Sequence, residues 1–152
     1  MIRAEASTTI RRPIEEVFRF VTDPTNESTW HTDVAAANRL SAGPIAAGSE
    51  TKYSFGLSGG RGTAIGKVVA FEENRLETIH FDRGPMGLKP TITFRFEPVG
   101  ESVRFTRIVE IEPAGVVRFL APLMTGFVAR RNASFLENLR RRLEGSSTPI
   151  SE

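Results

Sequence analysis

A chain of 152 residues, 39% apolar and 25% charged, has the make-up of one globular domain with room for a substantial core. Its formal net charge is +2, and Arg140-Arg141-Arg142 reads as a solvated helix end, so the clustered basic surface that nucleic acid calls for is missing. The absence of cysteine excludes disulfides, a thiol nucleophile and a thiolate metal site, and it fits a cytoplasmic location.

Residues 2–10 alternate strictly: Ile2, Ala4, Ala6, Thr8 and Ile10 share one face, against Arg3, Glu5, Ser7 and Thr9. That period predicts a strand, and its charges argue against a signal peptide. Pro13 opens a helix, because its missing N–H costs nothing in the first turn. Glu15 and Glu16 suit the positive end of the helix dipole, and Val17, Phe18, Phe20 and Val21 supply a buried side. Asp23-Pro24 stops the helix, and an irregular or helical connector runs to Trp30.

From residue 33 onward, short β runs are punctuated by Gly, Pro and Asn. Strands are predicted near 33–41, 49–57, 61–72, 75–83, 90–98 and 102–112. The separators are Gly43-Pro44, Gly59-Gly60, Glu73-Asn74, Gly84-Pro85 and Val99-Gly100, short enough to imply hairpins and an antiparallel meander. In the last hairpin Ile92, Phe94 and Phe96 share one face, as do Val103, Phe105, Val109 and Ile111. After Pro113 the period becomes helical: Val117, Leu120, Met124, Phe127, Val128, Phe135, Leu139 and Leu143 form an apolar stripe. Pro122 must interrupt it, which predicts a short helix followed by a long one. The expected domain is 1–145, with 146–152 as a Ser/Thr/Pro-rich tail. No apolar run is long enough to span a bilayer, so no stable membrane insertion is expected.

The opening STTIRRPIEEVFRFVTDPTNESTW, with Pro13, Val17-Phe18, Asp23-Pro24 and Trp30, resembles START-like (SRPBCC) proteins of the polyketide cyclase/dehydrase group. So do AAGSE before the third strand, ENRLE entering the fifth, FRFEPVGESVRFT across the last hairpin and PLMTGFVARRNASFLENLRRRLEG at the end. The similarity spans about residues 3–144 and lies in the order and spacing of these pieces. It implies an α+β helix-grip fold, in which a curved antiparallel sheet of about seven strands wraps a long C-terminal helix around a cavity. Members bind lipids, sterols, polyketides or other hydrophobic molecules, and a minority catalyse cyclisation or dehydration. Ligand-contacting positions vary within the family, so no catalytic signature carries over.

Arg107 shares the inward face with Phe105 and Val109, where a guanidinium is costly to desolvate. The commoner use of such a residue is structural, in an ion pair with an acidic residue or at a bulge that turns it outward; the other reading is an anchor for a carboxylate, phosphate or polarised carbonyl on an apolar ligand. His80 lies in a strand with two possible registers. Burial of Ile79 and Phe81, with Glu77 and Arg83 on their face, leaves His80 outside. The opposite register brings His80 and Asp82 to the cavity as acid–base candidates. Trp30 reads as a structural plug and His31 as exposed. Two isolated histidines make no metal site, and the glycines from Gly56 to Gly66 lack the ending of a phosphate loop, so neither metal nor cofactor is expected.

Tyr53, Phe55, Leu57, Gly66, Phe94, Phe96, Phe105, Arg107, Met124 and Phe127 are expected to face the enclosed space, Gly66 leaving room for a ligand. A surface rich in Phe and poor in paired acid–base groups favours binding or carriage of a small hydrophobic molecule by a monomer or homodimer. A metal-free cyclase or dehydratase using Arg107 with His80 or Tyr53 is the alternative. A regulatory or stress-related domain with a vestigial cavity is the third reading.

Overall fold

A computed structural model describes residues 1–56, 62–83, 88–112 and 115–145, the side chains of 116 and 117 excepted. The expected turns at Gly59-Gly60 and Gly84-Pro85, the inward position of Leu57 and the side chain of Val117, and the tail 146–152 lie outside the described residues.

Strand β1 (Ile2–Ile10) leads into α1 (Ile14–Thr22) and a 3-10 helix, Pro24–Thr29. Strands β2 (Val34–Arg39), β3 (Glu50–Phe55), β4 (Gly62–Glu72), β5 (Leu76–Phe81), β6 (Lys89–Val99) and β7 (Ser102–Glu112) follow. A second 3-10 helix, Gly115–Leu120, precedes α2 (Ala121–Glu144). The strands form one curved seven-stranded sheet in the order β1-β7-β6-β5-β4-β3-β2. Every neighbouring pair is antiparallel. Strands β2 to β7 are thus a meander, and β1 closes onto the last of them. Tight turns make this arrangement local, and Asn74 and Gly100 adopt the positive φ that such turns need.

Pro122 stands in the first turn of α2, so the expected break appears as the start of the long helix. A register shift between Val68 and Ala70 on β4 brings Phe71 opposite Glu77 and turns Phe71 toward α1, where its ring lies 5.4 Å from Phe18. The His80 register resolves as hydrophobicity favours: Ile79 and Phe81 are buried. His80 stands on the outer face, 2.8 Å from Thr91 Oγ1 and 3.4 Å from Asp82.

The inner face of the sheet is covered unevenly. The C-terminal half of α2 buries Phe135, Leu136, Leu139 and Leu143, which pack with Trp30, Phe94, Phe105, Val17 and Phe18 in the main core. The N-terminal half leaves Leu123 76% and Phe127 57% exposed. Arg140 pairs with Glu137 and Glu144, and Arg141 with Glu137, so two of the three arginines of the run are paired within their own helix.

Candidate ligand-binding site

The first half of α2 touches the sheet through Ala121, Met124 and Val128, which pack against Ile2, Val109 and Ile111, and beside that contact a cavity of about 230 Å³ opens between helix and sheet. Phe81 on β5, Pro90 and Ile92 on β6, and Val109 and Ile111 on β7 form its floor. Met124, Phe127 and Val128 from α2, with Phe55 and Leu88, form its walls. An engineered apolar cavity of about 150 Å³ admits benzene, so this one has room for a larger apolar body. A bigger hollow of about 560 Å³ beside α1 is lined by the exposed charges of Glu15, Arg19, Arg39 and Glu73 and has the character of a surface groove.

One end of the cavity is polar. Glu27, His31, Asp33, Arg107 and Arg131 converge there around the ring of Phe135. The imidazole of His31 stacks on that ring at 4.0 Å, and the guanidiniums of Arg107 and Arg131 lie 5.6 and 5.4 Å from its centre. Arg131 is ion-paired: its Nε donates to Asp33 Oδ2 at 3.0 Å and its Nη2 donates to Asp33 Oδ1. This fork ties α2 to the start of β2.

Arg107 is held differently. Its Nη1 donates to Asn132 Oδ1 at 2.8 Å, and Asn132 Nδ2 donates to the Arg107 carbonyl at 2.9 Å. Its Nε–H has no acceptor, and among the described residues no carboxylate comes within ion-pair distance of it. The structural-pair reading of Arg107 is therefore replaced by an amide clamp. Burial lowers its pKa to about 10, still charged at neutral pH, with the more distant Glu27 and Asp33 opposing that fall.

Two buried carboxyls complete the interior. Glu27 faces both the cavity and a water-sized void behind it, where it meets Glu77, Tyr53, Thr51 and Gly66. Burial lifts Glu27 to about 7, with Arg107 pulling the other way. Burial, and then the charge of Glu27, lift Glu77 to about 8. The Tyr53 phenol is pushed well up by burial and by both carboxyls. His31 is pushed well below its usual range by burial and then by Arg107, so its imidazole is neutral.

Of the residues expected to face the enclosed space, Phe55, Arg107, Met124 and Phe127 line the cavity. Phe94 and Phe105 do not: Trp30 lies against them edge-on at 6.0 and 6.3 Å and fills the space they would have lined. Phe96 packs between Phe18 and Phe105 in the same core. Tyr53 and Gly66 sit around the small void. Gly66 leaves no room for a ligand, since a Cβ there would approach Ile79 Cγ2 to 2.8 Å and Phe81 Cζ to 2.9 Å. His31, expected to be exposed, is buried because the connector folds it onto Phe135. His80 and Asp82 are absent from the cavity lining.

Glu27, Asn132 and the Asp33–Arg131 fork are functional candidates that sequence reasoning missed. Glu27 lies in PTNEST, which has no apolar period to orient it. Glu77 carried a signal, since alternation placed it with Ile79 and Phe81. Among the described residues no helix is long and apolar enough to cross a membrane, and no group of three or more His, Asp or Glu could hold a metal ion.

No curated protein matches the sequence. Among solved structures, TTHA0849 from Thermus thermophilus is similar with a TM-score of 0.78 at 17% identity, over 96% of this chain and 99% of that one. A START superfamily protein from Mycobacterium smegmatis gives 0.77 at 16% identity, over 94% of this chain and 97% of that one. The di-domain ARO/CYC BexL from the BE-7585A biosynthetic pathway gives 0.70 at 15% identity, over 95% of this chain and 47% of that one. At such identities the likeness establishes the helix-grip fold. The family described as polyketide cyclase/dehydrase and lipid transport matches residues 1–144, almost the whole sequence, and the chain belongs to it.

Proposed function

We propose that the protein binds a small hydrophobic molecule between α2 and the sheet, with the molecule's oxygen-bearing end at Arg107. The observation that carries this is a buried guanidinium, 4% exposed and with Nε–H unpaired, at the polar end of a cavity whose floor and walls are apolar. A cation in that position is costly unless something completes its hydrogen bonds. Phe55, Met124 and Phe127 are the proposed contacts for the apolar body, joined by Ile92 and Val109 from the floor. Phe94, Phe96 and Phe105 would act from behind, by holding the sheet curved. The lipid-transport part of the family description agrees with a carrier role.

A cyclase- or dehydratase-like reaction is the second reading, favoured by one observation: Glu27, lifted to about 7, stands in the cavity as a proton-transfer group. His80 and Tyr53 do not line that cavity. A domain with a vestigial site would be packed flush where this one holds 230 Å³.

Native mass spectrometry of freshly purified protein, followed by solvent extraction, tests the binding reading. A retained small molecule released into the organic phase is the expected result. Protein that carries nothing and takes up no environment-sensitive apolar dye would refute it.

A further inference from the structure

Three groups of one site do not balance in charge. Both oxygens of Asp33 are bonded to Arg131, so it makes contact with that guanidinium and acts on Arg107 only from a distance. Arg107 has no carboxylate in contact, only the amide of Asn132. The side chains of Glu27 and Glu77, the remaining interior acids, make no ion pair among the described residues and stand around a void of about 10 Å³, the size of one water. Glu27 is the one of the two that also opens onto the cavity where Arg107 lies.

We propose that the cavity takes a hydrophobic carboxylic acid as its anion, head-first at Arg107, and that Glu27 takes up a proton as the acid enters. This rests on the binding reading above and names its ligand class and its coupling. The unpaired Nε–H is a donor of the kind a carboxylate meets in a charge-assisted bond, and the cavity floor supplies the apolar contact. A second carboxylate beside a buried, ionised Glu27 would put two like charges on one unpaired guanidinium. One of the two must be neutral, as where two carboxyls share one site. The ligand, in contact with the guanidinium, keeps its charge, and Glu27 gives up its own.

Glu27 is faced by Arg107 from β7, Glu77 from β5, Tyr53 from β3 and His31 on its own connector, with the Asp33–Arg131 pair at the cavity rim. Of these, His31 is neutral, Tyr53 is protonated through the working range, Asp33 is paired with Arg131, and Glu77, lifted to about 8, lines the small void and not the cavity. Glu27, half ionised near pH 7, is left as the group whose proton count changes with the ligand. Binding that takes up a proton weakens as pH rises through the pKa of the free protein. Affinity for an acid should therefore be level below pH 7 and fall above it, by at most about tenfold per pH unit.

The test uses β-naphthoate and decanoate, each beside its methyl ester, with affinity measured from pH 6 to 8.5. Calorimetry at pH 7.5 in phosphate and in Tris counts protons. The acids should bind at least tenfold more tightly than their esters at pH 6.5, with an affinity that falls above pH 7 while that of the esters stays level. Net proton uptake should appear in the calorimetry. Glu27→Gln should keep the preference for acid and abolish both the slope and the uptake; Glu77→Gln should keep the slope. If Glu27→Gln does not fold, the wild-type slope and proton count decide alone. Esters that bind as well as acids, a level acid profile, or a slope lost in Glu77→Gln would overturn the proposal and leave the binding reading standing. Failure of all four compounds to bind would remove both.

Discussion

The two ends of the space between α2 and the sheet both present large apolar side chains from the same sheet face and end up in opposite states. At the Trp30 end, aromatic rings from β6 and β7 meet the connector and the last turns of α2, and the interior is solid. At the Met124 end the same sheet face carries Ile92, Val109 and Ile111, the helix carries Met124, Phe127 and Val128, and 230 Å³ stays open. Apolar bulk alone does not separate them. What differs is a plug: Trp30 enters one end, and among the described residues no ring of that size fills the other. A cavity of this kind is a place where the fold withholds a filler from an ordinary core.

Deleting the plug should give the largest effect. Trp30 is fully buried, and Trp30→Ala should cost about 3–5 kcal/mol in urea unfolding. Phe127→Ala, with a ring 57% exposed, should cost under about 1 kcal/mol. Similar losses at the two positions would break the distinction between a packed and an open end.

The buried carboxyls sharpen it next. Glu27 and Glu77 are lifted from 4.5 to about 7 and about 8, so over that interval the folded chain binds more protons than the unfolded one. Their contribution is fully present below pH 4.5 and is lost as pH rises through 7 and 8. Stability should therefore decline by a few kcal/mol from mildly acidic to mildly alkaline pH, on the order of 1.4 kcal/mol per group per unit at most. Glu77→Gln should flatten the upper part of that decline in a pH series of urea melts. A stability that climbs from pH 5 to 8 would contradict the burial of both acids.

Gly66→Ala tests the packing behind the cavity floor, around the small void. Its Cβ would press on Ile79 and Phe81 at 2.8 to 3.0 Å, and a loss of about 1–3 kcal/mol in thermal or urea unfolding is expected. An unchanged melting temperature would mean that the sheet relaxes there at no cost.

Arg107→Met tests the open end by binding. A charge-assisted hydrogen bond in a sheltered site contributes roughly 1.5–3 kcal/mol, so affinity for β-naphthoate should fall more than tenfold while its methyl ester binds almost as before. Stability should move by no more than about 1 kcal/mol, since the lost bond to Asn132 is offset by removal of a buried cation. Equal affinity losses for both compounds with a lowered melting temperature would make Arg107 scaffolding. The smallest effect is expected at His80→Ala: no change in binding and about 0.5 kcal/mol or less in stability, because the ring is on the outer face.

Period and punctuation in the sequence determined the element order, the antiparallel meander, the break at Pro122 and the inward register of Ile79, Phe81 and Arg107. These features are local: alternation, proline geometry and turn residues act within a few positions of one another. The tertiary structure alone decided which of the inward side chains line a cavity and which are core. Phe105 and Val109 stand on one face of one strand, and the first is covered by Trp30 while the second is not. It alone brought Glu27 and His31 from an irregular connector to Arg107 on β7, and set Asn132 of α2 against that guanidinium. Such meetings join residues 25 to 80 positions apart through the curvature of the sheet and the packing of the helix. No periodicity within one segment encodes the distance between two others, so packing had to supply it.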